Sequence, residues 1–218
     1  NGGRGHLSGT VTLETVSPAG ERRYEAIRSI REVVEFDASL ARLIEVGANS
    51  STRIISFTVT ESGYYLNTRG ALDAGHADLR RDLEGDSCQT IYGALAAILG
   101  ERLARSAAPV TLLSCDNLRH NGDRFRAGFL EFLGHRGLSA LRAWVASRTT
   151  SPNSMVDRIT PRPNGAVAAR VKAATGVADE VAVMSEAFCQ WVIEDRFAAG
   201  RPDWEVVGVE MVASVDKH

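Results

Sequence analysis

The stretch "TLLSCDNLRHNGDRFRAGFLEFL", Thr111–Leu133, predicts a buried strand that runs directly into an amphipathic helix. Its opening residues favour a strand, whereas apolar side chains recur at helical spacing after Gly122. Between them lies a polar cluster that includes Ser114, Asp116 and Asn117. A connecting loop does not require so many hydrogen-bonding side chains. The cluster therefore indicates a capped turn, the floor of an active site, or both.

A second stretch, "RIISFTVTESGYY", repeats this pattern over residues 53–65. Its almost continuous apolar character predicts a strand over Arg53–Thr60 that is covered on both faces. Strands that alternate with helices indicate a parallel sheet, and such sheets bind ligands beyond the carboxyl ends of their strands. If the two strands are neighbours, six polar residues converge on one crevice: Thr58, Thr60, Glu61, Ser114, Asp116 and Asn117.

The rest of the chain predicts one mixed α/β domain. Thr10–Val16, the turn at Ser17–Glu21 and the residues that follow predict a hairpin. Asp37 is expected to cap a helix that Gly47 and Asn49 close. The other predicted helices lie within Asp86–Arg105, Gly122–Leu133, "LSALRAWVAS" and Val167–Thr175, and the other strands at "NSMVDRITPRP", "VAVMS", "QWVIED" and Val206–Val215.

Composition excludes several classes of function. Apolar residues make up 44% of the 218, charged residues 24%, and the net charge is −2 with both signs interspersed. A nucleic-acid partner would need a basic face, and the apolar runs are too short to cross a bilayer, so neither partner is expected. Three widely spaced cysteines fit neither a disulfide framework nor a zinc site. No metal and a cytoplasmic location are therefore expected.

Within the polar cluster, capping and chemistry remain open alternatives. Asp116 or Asn121 could satisfy free N–H groups at the start of the following helix, and capping is favoured for Asn121. Asn117 is set deeper in the turn, where an amide offers both a donor and an acceptor to a carbonyl or hydroxyl oxygen. His120 could transfer protons beside a crevice. Cys115 is expected to be a small core residue rather than a nucleophile.

A third candidate is the segment "TTSPNSMVDRITPRP". Asp157 and Arg158 lie among apolar neighbours, which predicts partial burial, and a buried carboxylate needs a partner in the protein or in a ligand. A structural Asp–Arg pair is the alternative, although adjacent strand residues point to opposite faces. Three other histidines are expected to be surface residues: His76, His135 and His218. The tryptophans and the "FCQWVIEDRF" segment are expected to be packing residues.

These motifs, in this order and spacing, also carry a family resemblance. "SFTVTESGYY", "TLLSCDNLRHNG", "SPNSMVDRITPRP" and "WVIEDRFAAGRPDWEVVGVEMV" resemble the polyol-specific long-chain dehydrogenases and reductases, the mannitol dehydrogenase family. The resemblance extends from "LETVSPAGERRYE" onward. It implies a Rossmann-like doubly wound sheet, largely parallel with added antiparallel strands and incomplete in this chain. Residues 1–218 would then be part of an N-terminal nucleotide-binding domain.

The resemblance also implies a reaction. "TIYGALA", "GYYLNT", "CDNLRHNG" and "ITPRP" are most similar to the branch that oxidises D-arabinitol to D-xylulose with hydride transfer to NAD and without a metal. The mannitol 2-dehydrogenases and the uronate reductases of the same family are the alternatives. The expected small-molecule partner is a polyol.

Residue roles follow by matching motifs. Asn117 matches the family asparagine that polarises the reacting oxygen, which makes it the expected catalytic residue and a substrate contact. Asp157 matches an aspartate that hydrogen-bonds a substrate hydroxyl. The segment "TVTE" matches a strand end that passes near the cofactor. The expected cofactor contacts are therefore Thr58, Thr60, Glu61 and Ser114.

The sequence departs from the family pattern at both ends. No Gly-rich dinucleotide turn occurs in it, and Lys217 lacks the Asn and His that accompany the family's catalytic lysine. That lysine is expected in a helical C-terminal domain after His218, so the segment alone is expected to be inactive and to be the core of a longer enzyme. A non-catalytic α/β binding or scaffold domain is the alternative of another class. A monomer or a weak oligomer is expected.

Overall fold

The computed structural model describes residues 10–37, 39–162 and 164–217. These residues form two compact units. The first contains the described residues up to Glu35 together with those of Asp157–Cys189, and the second contains those of Phe36–Val156 and from Gln190 onward. Among the described helices, none is long and apolar enough to cross a membrane.

The first unit is a small sheet with one helix. Strands β1 (Val11–Val16) and β2 (Arg22–Ile27) form an antiparallel hairpin, as predicted, and β7 (Val183–Glu186) pairs in parallel with β1. The strand order is β2-β1-β7. Helix α6 (Gly165–Thr175) packs two buried valines against Ala182, and the side chain of Asn164 caps its first turn.

The second unit is built around a parallel sheet of β3 (Ile54–Phe57), β4 (Val110–Ser114) and β5 (Thr149–Thr150), in the order β3-β4-β5. All five residues of β4 are buried, as the sequence predicted. A further sheet, β6-β8-β9, contains β6 (Ser154–Asp157), β8 (Gln190–Glu194) and β9 (Glu210–Val212). The helices are α1 (Ala41–Ala48), α2 (Ala77–Glu84), α3 (Ile91–Arg105), α4 (Asn121–His135) and α5 (Ser139–Arg148).

The core of the second unit lies where α3 and α4 cover the parallel sheet. The ring of Tyr92 stacks on three phenylalanine rings of α4, with centroids 5.8–6.2 Å apart: Phe125, Phe129 and Phe132. The Tyr92 hydroxyl donates a hydrogen bond to the carbonyl of Tyr64 at 2.8 Å. This contact fixes the short 3₁₀ helix Glu61–Tyr64, which follows β3, against the core.

The predicted cap of α1 is wrong. The helix begins after Leu40, which has a φ of 52°, and not at Asp37. Asp37 instead accepts a hydrogen bond from the Ser39 N–H at 2.8 Å and so forms a turn ahead of the helix. The predicted end of the helix is confirmed at Asn49, which is the C-cap residue. Gly47 lies in the last turn of α1, where a Cβ would come within 2.4 Å of Ile98 Cγ2.

Three other predictions also differ from the structure. Val206–Val215 is not one strand, because a 3₁₀ helix (Trp204–Val207) and Gly208 at φ 90° precede β9. Strand β3 is not covered on both faces, since Ser56 is exposed. Helix α2 was not predicted, because its sequence "ADLRRDLE" is mostly polar.

Candidate functional site

The carboxyl ends of β3 and β4 lie side by side. The strands pair in parallel with Phe57 opposite Ser114, so the polar residues that follow each strand reach the same edge of the sheet. The two strands are therefore neighbours, as the prediction required, but Glu61 and Asn117 line different cavities and do not share one crevice. The Cys115 N–H donates to the Phe57 carbonyl at 2.9 Å and extends the pairing to the start of the loops.

Asp116 connects the two loops. Its carboxylate accepts hydrogen bonds from the backbone N–H groups of Val59, at 3.0 Å, and Thr60, at 2.8 Å. It also accepts from the hydroxyl of Tyr64 at 3.0 Å and from that of Ser114 at 3.3 Å. Asp116 therefore does not cap α4, which was one of the two alternatives. It caps the segment that follows β3.

Asn121 is buried and holds the second loop. Its side-chain amide donates to the Asp116 carbonyl at 2.9 Å and to Ser154 Oγ at 3.1 Å. Its Oδ1 accepts from the N–H groups of Gly122 at 2.8 Å and Ser154 at 2.9 Å. The predicted capping function of Asn121 is thus part of a larger network that joins the end of β4 to the start of β6.

A further capping residue was missed by sequence reasoning. Asn153 Oδ1 accepts a hydrogen bond from the N–H of Asp123 in the first turn of α4, at 3.0 Å. Asn153 is itself held by the buried carboxylate of Glu194, which accepts from its backbone N–H at 3.1 Å. The partners are 30 or more positions apart, so no local pattern in the sequence signals this cap.

Asn117 is exposed at the edge of this network. It borders a cavity of about 270 Å³ that is also lined by His120, Ser154 and Asp216. The Asn117 side chain has no hydrogen-bond partner among the described residues, so its amide is free to bind a ligand. His120 has a φ of 55°, and its Nδ1 lies 3.7 Å from Asp216 Oδ1.

The four predicted cofactor contacts have different environments. Thr58, Thr60 and Glu61 are exposed after β3. Ser114 is fully buried, and its hydroxyl lies 2.6 Å from that of Tyr64. Ser114 therefore lies behind the surface that the other three residues present.

Asp157 is exposed at the end of β6, so the predicted partial burial is wrong. The nearby Ile159 is 64% exposed. The alternative of a structural Asp–Arg pair is also wrong. The guanidinium of Arg158 donates to the backbone carbonyl of Glu186, and the Asp157 carboxylate forms no ion pair within the described residues. Asp157 belongs to the first unit.

The Cys115 thiol and the Tyr64 hydroxyl show little nucleophilic character. Burial and the nearby Asp116 raise the pKa of the Cys115 thiol to about 11, so this thiol is protonated at neutral pH. Burial also raises the pKa of Tyr64 well above its usual range. No three His, Cys, Asp or Glu side chains in the described part of the chain are placed to hold a metal ion. His76 and His135 are exposed, and His218 lies outside the described residues.

Comparison with known proteins identifies the family to which these motifs belong. Residues 6–206 match the family model described as the mannitol dehydrogenase Rossmann domain. The chain belongs to the mannitol dehydrogenase family. The predicted family resemblance and the Rossmann-type fold, a parallel sheet with added antiparallel strands, are thereby confirmed.

Within the mannitol dehydrogenase family, two similar relatives are D-arabinitol 4-dehydrogenases. The protein from Ralstonia nicotianae is 58% identical over 96% of this chain, and that from Klebsiella pneumoniae is 55% identical over 95%. A mannitol 2-dehydrogenase from Pyrenophora tritici-repentis is 41% identical over 87%. The chain spans 45% of the length of each of the first two relatives and 34% of the third.

Solved structures of this family share the fold. Pseudomonas fluorescens mannitol 2-dehydrogenase, in a ternary complex with NAD and D-mannitol, superimposes with a TM-score of 0.87 at 35% identity. It is matched over 94% of this chain and 42% of its own. Substrate-free D-sorbitol dehydrogenase gives a TM-score of 0.86, also at 35% identity, over 94% of this chain and 43% of that one.

Proposed function

We propose that the complete protein is an oxidoreductase that oxidises a secondary alcohol of a polyol, D-arabinitol to D-xylulose, with NAD as the hydride acceptor. The observation that carries this proposal is the contrast in identity between relatives. The two D-arabinitol 4-dehydrogenases are 58% and 55% identical to the chain, against 41% for a mannitol 2-dehydrogenase. Mannitol oxidation is the second candidate, and uronate reduction is the third.

Asn117 is the proposed catalytic residue. Oxidation of an alcohol removes a proton from the hydroxyl and a hydride from the carbon, so negative charge develops on the oxygen before the carbonyl forms. An exposed amide without a protein partner can donate a hydrogen bond to that oxygen as the charge develops. For Asp157 we retain the role that the family implies, a carboxylate that accepts a hydrogen bond from a substrate hydroxyl. Its exposure leaves it accessible for this role.

Thr58, Thr60 and Glu61 are the proposed cofactor contacts, supported by Ser114 from behind. When bound, NAD supplies the hydride acceptor. The residues present suit such a group, because two hydroxyls and a carboxylate are exposed at the carboxyl edge of a parallel sheet, where nucleotides bind. A hydroxyl can donate to or accept from a ribose hydroxyl, and a carboxylate can accept from one.

Cofactor and location are also part of this proposal. A polyol:NADP oxidoreductase from Gluconobacter oxydans is 36% identical over 94% of the chain, so both dinucleotides belong in any test. We propose NAD because of the motif-level similarity to the D-arabinitol branch. We also propose a cytoplasmic protein that is a monomer or a weak oligomer and that binds neither nucleic acid nor a membrane. The three free cysteines agree with a reducing compartment.

The test is reduction of NAD or NADP by the complete gene product with D-arabinitol, D-mannitol, L-arabinitol, D-sorbitol and xylitol as substrates. We expect the highest kcat/KM for D-arabinitol with NAD. A preference for D-mannitol would support the proposed mechanism but contradict the proposed substrate. No reduction of any polyol, together with no oxidation of NADH by the matching ketoses or by uronates, would contradict the proposal and favour a non-catalytic domain.

A further inference from the structure

Asp116 is a buried carboxylate without an ion-pair partner among the described residues. The residue is 4% exposed, and no Lys, Arg or His of the described chain forms an ion pair with it. Burying an ionised carboxylate is costly unless hydrogen bonds replace the lost water. The consecutive backbone N–H groups of Val59 and Thr60 do so here, together with the Tyr64 hydroxyl at 3.0 Å. The Ser114 hydroxyl lies 3.3 Å from the carboxylate and is also bonded to the Tyr64 hydroxyl.

The segment that this carboxylate holds is strained. Thr60 has φ 61° and ψ 172°. This conformation is unfavourable for any residue with a Cβ, and most of all for a β-branched residue such as threonine. Such a conformation persists only where the surrounding structure imposes it, and strained residues cluster at functional sites. The hydrogen bond from the Thr60 N–H to Asp116 Oδ1, at 2.8 Å, is a tertiary contact between residues 56 positions apart.

We propose that Asp116 is a positioning residue for cofactor binding. It does not touch the cofactor. It fixes the backbone of Val59 and Thr60 and thereby presents the side chains of Thr58, Thr60 and Glu61 in a binding conformation. This inference rests on the proposed function, because the three presented residues are the proposed cofactor contacts. Removing the carboxylate would let Thr60 relax toward an ordinary extended conformation and displace both neighbours.

The test compares three variants in the complete gene product. Asp116→Ala removes all four acceptor contacts. Asp116→Asn keeps Oδ1 for the two backbone N–H groups, while its NH₂ group can donate to the Tyr64 and Ser114 hydroxyls. Asp82→Ala is the matched control, because Asp82 is also buried and accepts from the consecutive N–H groups of Gln89 and Thr90, at the start of α3. Dissociation constants for NAD are measured well below the melting temperature of each variant.

We expect Asp116→Ala to weaken NAD binding by about tenfold or more, and Asp116→Asn to stay within about threefold of wild type. Asp82→Ala should lower the melting temperature and leave NAD affinity unchanged. Unchanged affinity in Asp116→Ala would overturn the positioning role and leave the proposed function intact. Equal losses in Asp116→Ala and Asp82→Ala would also overturn it, because they would reflect general destabilisation. A wild-type protein that binds no NAD would overturn both proposals.

Amide hydrogen exchange keeps the inference testable if Asp116→Ala does not fold. In the wild-type protein without cofactor, the N–H groups of Val59 and Thr60 should be protected, because Asp116 binds both. Protection should persist in Asp116→Asn. Rapid exchange of both amides in the folded wild-type protein would overturn the inference.

Discussion

Asn117, in the loop after β4, and Asn121, the first residue of α4, lie four positions apart and have opposite environments. The Asn121 side chain is buried with its donors and its acceptor engaged, whereas that of Asn117 is exposed without a partner among the described residues. The backbone carbonyl that Asn121 binds belongs to Asp116, which directly precedes Asn117. At the residue scale, one asparagine therefore fixes the loop and the other is available to a ligand.

This difference predicts that the two alanine variants fail in different ways. Asn117→Ala should lower kcat by about a hundredfold or more, because one donor to the developing oxyanion is lost, and should leave the melting temperature unchanged. Asn121→Ala should lower the free energy of unfolding by about 2–3 kcal/mol, because buried groups lose their partners. Polyol-dependent NAD reduction and thermal melting of both variants provide the measurement. Full activity in Asn117→Ala would contradict its proposed role.

At the scale of the elements, the close approach of α4 to the segment before β6 depends on a glycine. A Cβ on Gly122 would come within 2.4 Å of the Pro152 carbonyl oxygen and within 2.5 Å of that of Ser151. Both atoms belong to the backbone, so neither can rotate away. The sequence "HNG" does not signal this requirement, because it arises only when strand order brings residues 151–152 over the start of the helix.

Gly122→Ala should therefore lower the free energy of unfolding by about 3 kcal/mol. Gly134→Ala in the last turn of the same helix is the matched control. Its Cβ would lie 3.7 Å from Arg142, an ordinary contact, and alanine favours helix, so the expected change is neutral to about 1 kcal/mol stabilising. Urea unfolding of both variants measures the difference. Equal stability of the two variants would contradict the close approach.

The sheet of the first unit contains a buried carboxylate bound by several donors. Glu14 of β1 accepts two hydrogen bonds from Arg170 of α6, at 2.6 and 2.8 Å, one from Arg22 at 3.1 Å and one from Tyr24 at 3.0 Å. The hydrogen bonds from Arg170 are the main reason that the pKa of Glu14 is lowered, although burial alone would raise it. These bonds connect α6 to both strands of the hairpin.

A lowered pKa gives the stability a definite pH dependence. The ionised form of Glu14 is favoured by folding, so its contribution is present above the unfolded pKa of about 4.3 and is lost as the pH falls through the lower folded value. Glu14→Gln should lower the free energy of unfolding at pH 7 by about 2 kcal/mol and should flatten its decrease below about pH 4. Chemical unfolding followed by circular dichroism at several pH values tests this. Glu25→Gln, on the exposed face of β2, is the control and should change neither quantity.

At the scale of the whole molecule, the fluorescence of the three tryptophans reports the unfolding of one unit only. Trp144, Trp191 and Trp204 all belong to the second unit. Arg102 of α3 is a buried anchor in that unit. Its guanidinium donates to five backbone carbonyls, at 2.7–3.0 Å, in the last turn of α1 and in the loops that precede β3 and β4: those of Gly47, Asn49, Thr52, Ala108 and Pro109.

Arg102→Met should therefore lower the midpoint of tryptophan-detected unfolding. Because five carbonyls would lose a shared donor, the free energy of unfolding should fall by at least about 3 kcal/mol. Arg105→Met in the last turn of α3 is the control. The Arg105 side chain is 52% exposed, and among the described residues it forms an ion pair only with Glu101. That variant should change stability by less than about 1 kcal/mol. A normal midpoint for Arg102→Met would contradict the anchor role.

The sequence by itself determined the local elements and the family. The β4–α4 unit, the β1–β2 hairpin and helices α3 and α5 follow from short-range periodicity and turn residues, which depend on neighbours along the chain. The motifs around Asn117 and Asp157 identified the family because their residues and spacing lie within the chain itself.

Only the tertiary structure decided which polar residues face solvent and which bind each other. Asn153 caps a helix 30 positions away, and Asp116 holds a backbone segment 56 positions away. The sequence did not distinguish the buried Ser114 from the exposed Thr60, since both lie at the carboxyl end of a predicted apolar strand. The physical reason is that the Asp116 contact exists only once β3 and β4 pair, and the Asn153 contact only once the segment before β6 reaches α4. A strand's own residues encode its periodicity, whereas the neighbour it meets depends on the packing of the whole sheet.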